Sequence, residues 1–311
     1  MRLIKETKID FMAQIRLGVI ISSVLIIAGL LSMIFQGGLR LSIDFKGGSM
    51  VAVKYIDEVD IDSIRDIMSA ITIEGETYDF SKNEIKHFGD LSTVSLRLPI
   101  IVNQSKDFNQ QIVEFLYDAF PEKVPVEKAD FLLSIETVGP KIGAELSGKA
   151  YLAIITALVL ILIYITIRFE YKFAIGAIAA LAHDVIITLG IFSIMDFEIS
   201  LSVVAAFLTI VGYSLNDTIV IFDRIRENIK SMRSSSFGTV INQSINSSLS
   251  RTIITSLTTF VVVFVLWVWG GEVIHNFAFA MLVGVIIGTY SSIFVASPIV
   301  LKLQANAKPK K

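Results

Sequence analysis

The sequence predicts an α-helical membrane protein with six transmembrane helices and one α+β domain outside the membrane. Hydrophobic residues make up 53% of the 311-residue chain, and its mean hydropathy is +0.69, which is more apolar than a soluble globular chain. Six apolar runs are each long enough to cross a bilayer. One polar segment, residues 36–149, separates the first run from the other five and has the short periodicities of strands and helices.

Each predicted span follows from hydropathy and length. The first, Leu17–Phe35, comes after an arm of residues 1–16; it is longer than a signal-peptide core, and no A-x-A cleavage site follows it. The polar segment leads into a five-helix region, residues 150–301, and a tail, residues 302–311. The five spans of that region are Ala150–Ile167, Phe173–Met195, Ile199–Phe222, Thr252–Gly270 and Phe277–Leu301.

Basic residues predict the orientation of the spans. The arm, the 168–172 loop, the 223–251 segment and the tail carry four, two, five and four Lys or Arg residues, fifteen in all. The opposite short loops, around residues 196–198 and 270–276, carry none. Because loops rich in Lys and Arg stay in the cytoplasm, both termini are predicted to be cytoplasmic and the polar segment to be exported.

The exported segment predicts a ferredoxin-like domain, because its elements run strand, helix, strand, strand, helix, strand. Alternating apolar residues indicate the strands, and apolar residues three or four apart indicate the helices. With 12 basic and 19 acidic residues the segment has a net charge of −7, so it offers no basic surface for nucleic acid. The predicted elements are Ser49–Ile56, Ile61–Ile71, Glu84–Phe88, Thr93–Ile101, Phe108–Phe120 and Glu127–Thr137.

Two aspartates inside apolar runs are the main functional candidates. Asp184 is 11 residues from either end of its run, which is ~16 Å at the rise of a helix and close to the middle of a ~30 Å hydrocarbon core. Asp217 lies in the next run, near its cytoplasmic end. A carboxylate in hydrocarbon costs at least ~2.5 kcal/mol, so such residues mark functional sites by default. The two aspartates predict that a charged species, most simply a proton, is handled inside the membrane.

A structural role remains open for each candidate. Asp217 either carries a proton or is a satisfied polar group that locks helices together. His183 either relays protons with Asp184 or makes hydrogen bonds between helices. Asn216 is interpreted first as a packing residue and second as part of a proton pathway. Hydropathy alone favours Arg251 as a snorkelling arginine at the start of its span.

The sequence carries no signature of an enzyme. It has no cysteine, which excludes disulfides, thiolate metal sites and cysteine nucleophiles. We find no metal-ligand cluster, nucleotide-binding loop or Ser/His/Asp arrangement in it. The sequence therefore predicts neither catalysis nor a cofactor or metal.

Five motifs, taken in order, closely resemble those of the SecF family, the smaller membrane subunits of the bacterial SecD–SecF accessory complex of protein export. The resemblance covers nearly the whole chain. The string at residues 212–228 is highly specific, whereas the one at 43–48 is shared with the SecD half. The motifs are Ile43–Gly48 (IDFKGG), Val138–Leu146 (VGPKIGAEL), Ala182-His183-Asp184, Gly212–Asn228 (GYSLNDTIVIFDRIREN) and Leu249–Ser256 (LSRTIITS).

The resemblance implies one half of an RND-type transporter fold in the bacterial inner membrane. It implies use of the proton-motive force to help exported polypeptides through the SecYEG channel on the periplasmic side. It assigns Asp217 and Arg251 to proton conduction. It also implies a SecD-like subunit that covers the polar face of the bundle, for which Gly176, Ala179 and Ala180 would allow close helix contact.

Two other functions remain open beside this one. A scaffold of the translocon that transports nothing would tolerate neutralisation of Asp217. A small-molecule efflux component of the RND type would usually need a larger chain with two repeats and two exported domains, whereas this chain has one of each.

Overall fold

The computed structural model of the chain describes residues 7–73, 75–101, 105 and 107–305. The remaining parts of the predicted arm and tail, with their basic residues, lie outside the described residues. The chain divides into a helical unit, formed by residues up to Arg40 and from Tyr151 onward, and an α/β unit, Leu41–Ala150. The two units are described separately below.

The elements in chain order are α1 (Ile15–Phe35), α2 (Ile43–Lys46), β1 (Gly48–Lys54), α3 (Ile61–Ile67), β2 (Ile71–Ile73), β3 (Glu76–Tyr78), β4 (Ile85–Phe88), β5 (Asp90–Leu98), α4 (Phe108–Ala119), α5 (Lys128–Phe131), β6 (Leu132–Val138), α6 (Pro140–Arg168), α7 (Tyr171–Ile194), α8 (Leu201–Ser231), α9 (Phe237–Trp269), α10 (Glu272–Ser291) and α11 (Ser297–Ala305). A 3₁₀ turn, Met68–Ala70, follows α3, and a π-helical turn, Ser292–Ala296, joins α10 to α11.

The α/β unit confirms the predicted ferredoxin-like order. Its four-stranded antiparallel sheet has the order β4-β5-β1-β6, so the first and third predicted strands are central. The sheet packs on α3, the 3₁₀ turn after it and α4 through fully buried Ile64, Met68, Ile112 and Leu116. These side chains come from the apolar stripes that predicted the two helices.

Two boundaries in this unit differ from the prediction. The helix predicted to reach Ile71 ends at Ile67, and Ile71 instead begins a hairpin of β2 and β3. Ile71 fits the helical stripe by spacing, but a β-branched residue suits a strand equally well. The last predicted strand begins with the short helix α5 and becomes extended only at Leu132.

Two of the motifs meet at the start of α6. Gly47 and Gly48 have φ angles of +74° and +126°, which residues other than glycine rarely adopt. Gly143, in the second motif, packs directly on this turn: a Cβ there would lie 3.2 Å from the Gly47 nitrogen and from the Phe45 carbonyl oxygen. Pro140 begins α6, where its missing N–H is tolerated. The glycines therefore serve the close approach of backbone to backbone.

Six helices of the described chain are long and apolar enough to cross a membrane, which confirms the predicted number of spans. Three of them are longer than their apolar runs. Helix α6 begins at Pro140, α8 continues to Ser231, and α9 begins at Phe237 after the N-cap Ser236. Hydropathy detects only the apolar part of a helix, whereas capping and backbone hydrogen bonds carry it further into polar sequence.

Helices α7, α8 and α10 form the centre of the helical unit, since 56% of their apolar windows is buried, against 17% or less for α1, α6 and α9. Two glycines of α10 allow α8 to approach closely: a Cβ at Gly284 would lie 2.3 Å from Ile210, and one at Gly288 would lie 3.0 Å from Ser214. Gly176 of α7 packs inside the same unit, against the carbonyl of Ala296. Gly176 and Ala180, which is 1% exposed, are therefore not free for a partner subunit, contrary to the expectation.

Candidate functional site

Both predicted aspartates are buried at the centre of the helical unit. Asp184 of α7 is 1% exposed and Asp217 of α8 is 2% exposed. Helices α8 and α10 place hydroxyl side chains beside them, since Ser214, Ser291 and Thr289 all lie inside this region. A carboxylate so enclosed must be compensated by hydrogen bonds or by a proton.

Asp217 is the less satisfied of the two. Its Oδ2 accepts a long hydrogen bond, 3.3 Å, from the hydroxyl of Ser256 on α9. Ser256 also contacts the hydroxyl of Thr289 on α10 at 2.7 Å. One turn before Ser256, the buried hydroxyl of Thr252 has no hydrogen-bond partner among the described residues. The site therefore has a carboxylate and a buried hydroxyl that can each form further hydrogen bonds.

Arg251 interacts with Asp217 electrostatically but does not contact it. It was predicted at the start of a span, but α9 begins at Phe237, so Arg251 lies well inside the helix. Its side chain is exposed, and among the described residues no ion pair within 4 Å joins it to Asp217. Asn216 is exposed as well, on the outer surface of α8. The packing of α9 on α8 therefore brings Ser256, and not Arg251, into hydrogen-bond contact with the carboxylate.

Asp184 and His183 form the second buried group. His183 Nδ1 lies 2.9 Å from Asp184 Oδ1. The other carboxylate oxygen accepts hydroxyl hydrogen bonds from Ser214 of α8, at 2.5 Å, and from Ser291 of α10, at 2.8 Å. Ser214 lies three residues before Asp217 on α8, yet its hydroxyl points to Asp184. His183 and Asp184 are adjacent on α7 and so point ~100° apart. Asp184 accordingly bonds to α8 and α10, and His183 reaches α1.

The imidazole extends this group to the first helix. His183 Nε2 lies 2.8 Å from Ser22 Oγ on α1. Ser22 Oγ is also 3.0 Å from Tyr290 Oη on α10, which donates to the carbonyl of Gly18 at 2.6 Å. The rings of Tyr290 and His183 stack, with their centroids 6.0 Å apart. Three helices are therefore joined by one string of polar groups.

Sequence reasoning missed most of the hydroxyl partners. They share one signal, a Ser, Thr or Tyr inside an apolar run, which is common enough in membrane helices to carry little weight by itself. Their meeting at two carboxylates and at His183 depends on how five helices pack. The residues not assigned from the sequence are Ser22, Ser256, Thr289, Tyr290 and Ser291.

Chemically, the arrangement can hold and pass protons. Carboxylates, an imidazole and hydroxyls are proton acceptors and donors in hydrogen-bond contact. Within the part of the chain that the structure describes, no group of three or more His, Asp and Glu residues is arranged to bind a metal ion. The site is thus built from titratable side chains and hydroxyls.

Comparison with known proteins gives a consistent result. The family model described as protein export membrane protein SecD/SecF, C-terminal, matches residues 123–306. The protein translocase subunit SecF of Rhodothermus marinus is 41% identical over 320 residues, which cover 100% of this chain and 98% of that one. The SecF of Vibrio alginolyticus is 41% identical over 299 residues, covering 96% and 90% of the two chains.

A solved structure agrees with these relatives. SecDF of Thermus thermophilus, described as a translocon-associated membrane protein, matches 97% of this chain with a TM-score of 0.82 and 34% sequence identity. The present chain spans 39% of the length of that SecDF chain.

Proposed function

The chain belongs to the SecF family of protein translocase subunits, and we propose that it uses the proton-motive force to assist the export of polypeptides. In this proposal Asp217 is the group that takes up and releases the proton. The chain acts as one half of a complex with a SecD-like subunit, in the bacterial inner membrane, beside the SecYEG channel. Both termini lie in the cytoplasm and the α/β unit acts on the exported polypeptide outside it.

The observation that supports this proposal best is the incomplete compensation of Asp217. The carboxylate is 2% exposed, the hydroxyl of Ser256 approaches it only to 3.3 Å, and Thr289 and Arg251 contribute still smaller interactions. Asp184, by comparison, receives shorter hydrogen bonds from two serines. A poorly compensated charge inside a membrane protein is unfavourable, so a group in this position gains from binding a proton.

A polar surface beside Asp217 supports the SecD-like partner. On the outside of α8, Thr209, Gly212 and Asn216 are exposed at one-turn spacing, and Arg251 is exposed on the neighbouring helix α9. Small and polar residues are typical of contacts between membrane helices, whereas lipid-facing surfaces are apolar. In the complex Arg251 would lie at the interface close to the Asp217 site, with which it already interacts electrostatically.

The testing experiment measures export in energised membrane vesicles that contain the complete complex. Asp217→Asn keeps the shape of the side chain and removes its ability to ionise. We expect this variant to insert normally and to lose the stimulation of export that depends on the proton gradient, so that an uncoupler has no further effect on it.

Asp223→Asn is the matched control, since Asp223 lies on the same helix, has a side chain that is 36% exposed, and pairs with Arg168 at 2.7 Å. It should keep the stimulated rate, because exposed ion pairs contribute little. If Asp217→Asn, stably inserted, stimulates export as strongly as the unchanged protein, Asp217 carries no proton and the chain acts as a scaffold of the translocon.

A further inference from the structure

The string of polar groups between Asp184 and α1 is one hydrogen short. It has four contacts, all 3.0 Å or shorter, which run through His183, Ser22 and Tyr290 and end at the backbone of α1. Its two ends, the Asp184 carboxylate and the Gly18 carbonyl, can only accept hydrogen bonds. A neutral imidazole and two hydroxyls between them supply one hydrogen each. Three hydrogens cannot complete four contacts.

The direction of each bond follows from the end at Gly18. The carbonyl takes the single hydroxyl hydrogen of Tyr290. Ser22 must then donate to Tyr290 Oη, which leaves its oxygen as the acceptor for His183. The hydrogen in that contact is therefore on Nε2 of His183.

A neutral imidazole protonated on Nε2 has no hydrogen on Nδ1. The 2.9 Å contact between Nδ1 and Asp184 Oδ1 consequently needs one more proton. That proton sits on Asp184, as a carboxylic acid, or on His183, as an imidazolium paired with the carboxylate. In either form the pair has no net charge, which removes the penalty for an uncompensated buried aspartate.

No other neighbour supplies this hydrogen. The second oxygen of Asp184 is occupied by the hydroxyls of Ser214 and Ser291. Tyr290 is the titratable residue of α10 that contacts the string, and α1 contributes Ser22 and a carbonyl. On α8, the titratable residues nearest in sequence to Ser214 are Tyr213 and Asp217, and neither is a cation.

We propose that the Asp184–His183 pair carries this additional proton and that its release loosens α1. Without it, one of the four contacts must bring two lone pairs together, and three of the four involve α1. Helix α1 ends at Phe35, a few residues before the α/β unit begins at Leu41. The presence of one buried proton thus determines how firmly α1, the helix that leads to the exported unit, is bound to α7 and α10.

The consequence for export rests on the function proposed above, whereas the proton content of the pair does not. The test therefore reads the histidine directly, by ¹⁵N solid-state NMR of the histidine-labelled full chain with its SecD-like subunit in lipid bilayers at neutral pH. Imidazole ¹⁵N signals distinguish which ring nitrogen carries a hydrogen. The chain has three histidines, and replacement of His87 and His275 by Gln assigns the spectrum.

His275 is an internal reference, because its contact predicts the hydrogen on the other ring nitrogen. Its Nε2 accepts from the indole N–H of Trp267 at 3.1 Å, and an indole nitrogen can only donate. His275 should therefore carry its hydrogen on Nδ1, and His183 should carry one on Nε2. An unprotonated Nε2 at His183 in the unchanged protein overturns the proposal.

A variant tests whether the contact between Tyr290 and Gly18 causes the lack of one hydrogen. In Tyr290→Phe the string ends at Ser22, whose hydroxyl is free to donate to His183, so two hydrogens suffice for two contacts. We expect His183 to change to the form with hydrogen on Nδ1 only. Tyr164→Phe, an exposed tyrosine on α6, should leave His183 unchanged. If Tyr290→Phe keeps the hydrogen on Nε2, the contact with Gly18 does not determine the proton content and the proposal is wrong.

Discussion

The close approach of α10 to α8 can be tested at Gly284. A Cβ at this position would lie 2.3, 2.5 and 2.7 Å from three side-chain carbons of Ile210, whereas non-bonded carbons prefer ~3.5–4.0 Å. Ile210 is fully buried, and its branched side chain is stiff at χ1, so it cannot move aside. We expect Gly284→Ala to destabilise the bundle by about 1–3 kcal/mol, as overpacking does.

The assay is unfolding of the purified protein in mild detergent by added SDS, followed by circular dichroism. Gly148→Ala is the control, because a Cβ at this helical glycine of α6 meets nothing within 4 Å. It should be neutral or slightly stabilising, since alanine favours a helix over glycine by ~1 kcal/mol.

A second substitution separates steric overlap from other effects. Ile210→Ala removes the three carbons that overlap, so the double variant Gly284→Ala/Ile210→Ala should be more stable than the sum of the single effects predicts. An unchanged midpoint for Gly284→Ala, or additive single effects, would refute the packing argument.

The remaining predictions concern the interface. Arg251→Lys keeps the charge but loses the planar guanidinium, so proton-dependent export should fall while insertion is unchanged; normal export would leave Arg251 as a topology signal only. Because the chain has no cysteine, Asn216→Cys should cross-link to cysteines in the SecD-like subunit, whereas Ala180→Cys, buried within this chain at 1% exposure, should not. Equal cross-linking of both would show that the exposed surface of α8 is not the contact.

Much of the fold was predictable because its signals are local. Apolar runs predicted the six membrane helices, and alternation predicted the four strands of the main sheet but not the β2–β3 hairpin. The predicted ends of elements were less accurate where the same residues suit both a helix and a strand, or where a helix continues into polar sequence. Ile71 fits a helical stripe and a strand, and the polar ends of α8 and α9 are helical although hydropathy gives no sign of it.

The candidate site was predictable only in part. A carboxylate inside an apolar run is conspicuous in any sequence, so Asp184 and Asp217 were found at once. Their partners were not, because a serine such as Ser291 is ordinary until its distance to a carboxylate is known. Ser214 shows the difficulty: helical spacing pairs it with Asp217, and it donates to Asp184.

The sequence by itself determined the family, the number of spans, the order of strands and the two buried acids, since these depend on composition and on neighbours along the chain. Only the tertiary structure decided which hydroxyl meets which carboxylate, that Arg251 faces outward, and that His183 connects to α1 through Ser22. Hydrogen bonds between helices act over about 3 Å. Residues as far apart in sequence as Ser22 and Tyr290 come within that range only after all the helices have packed.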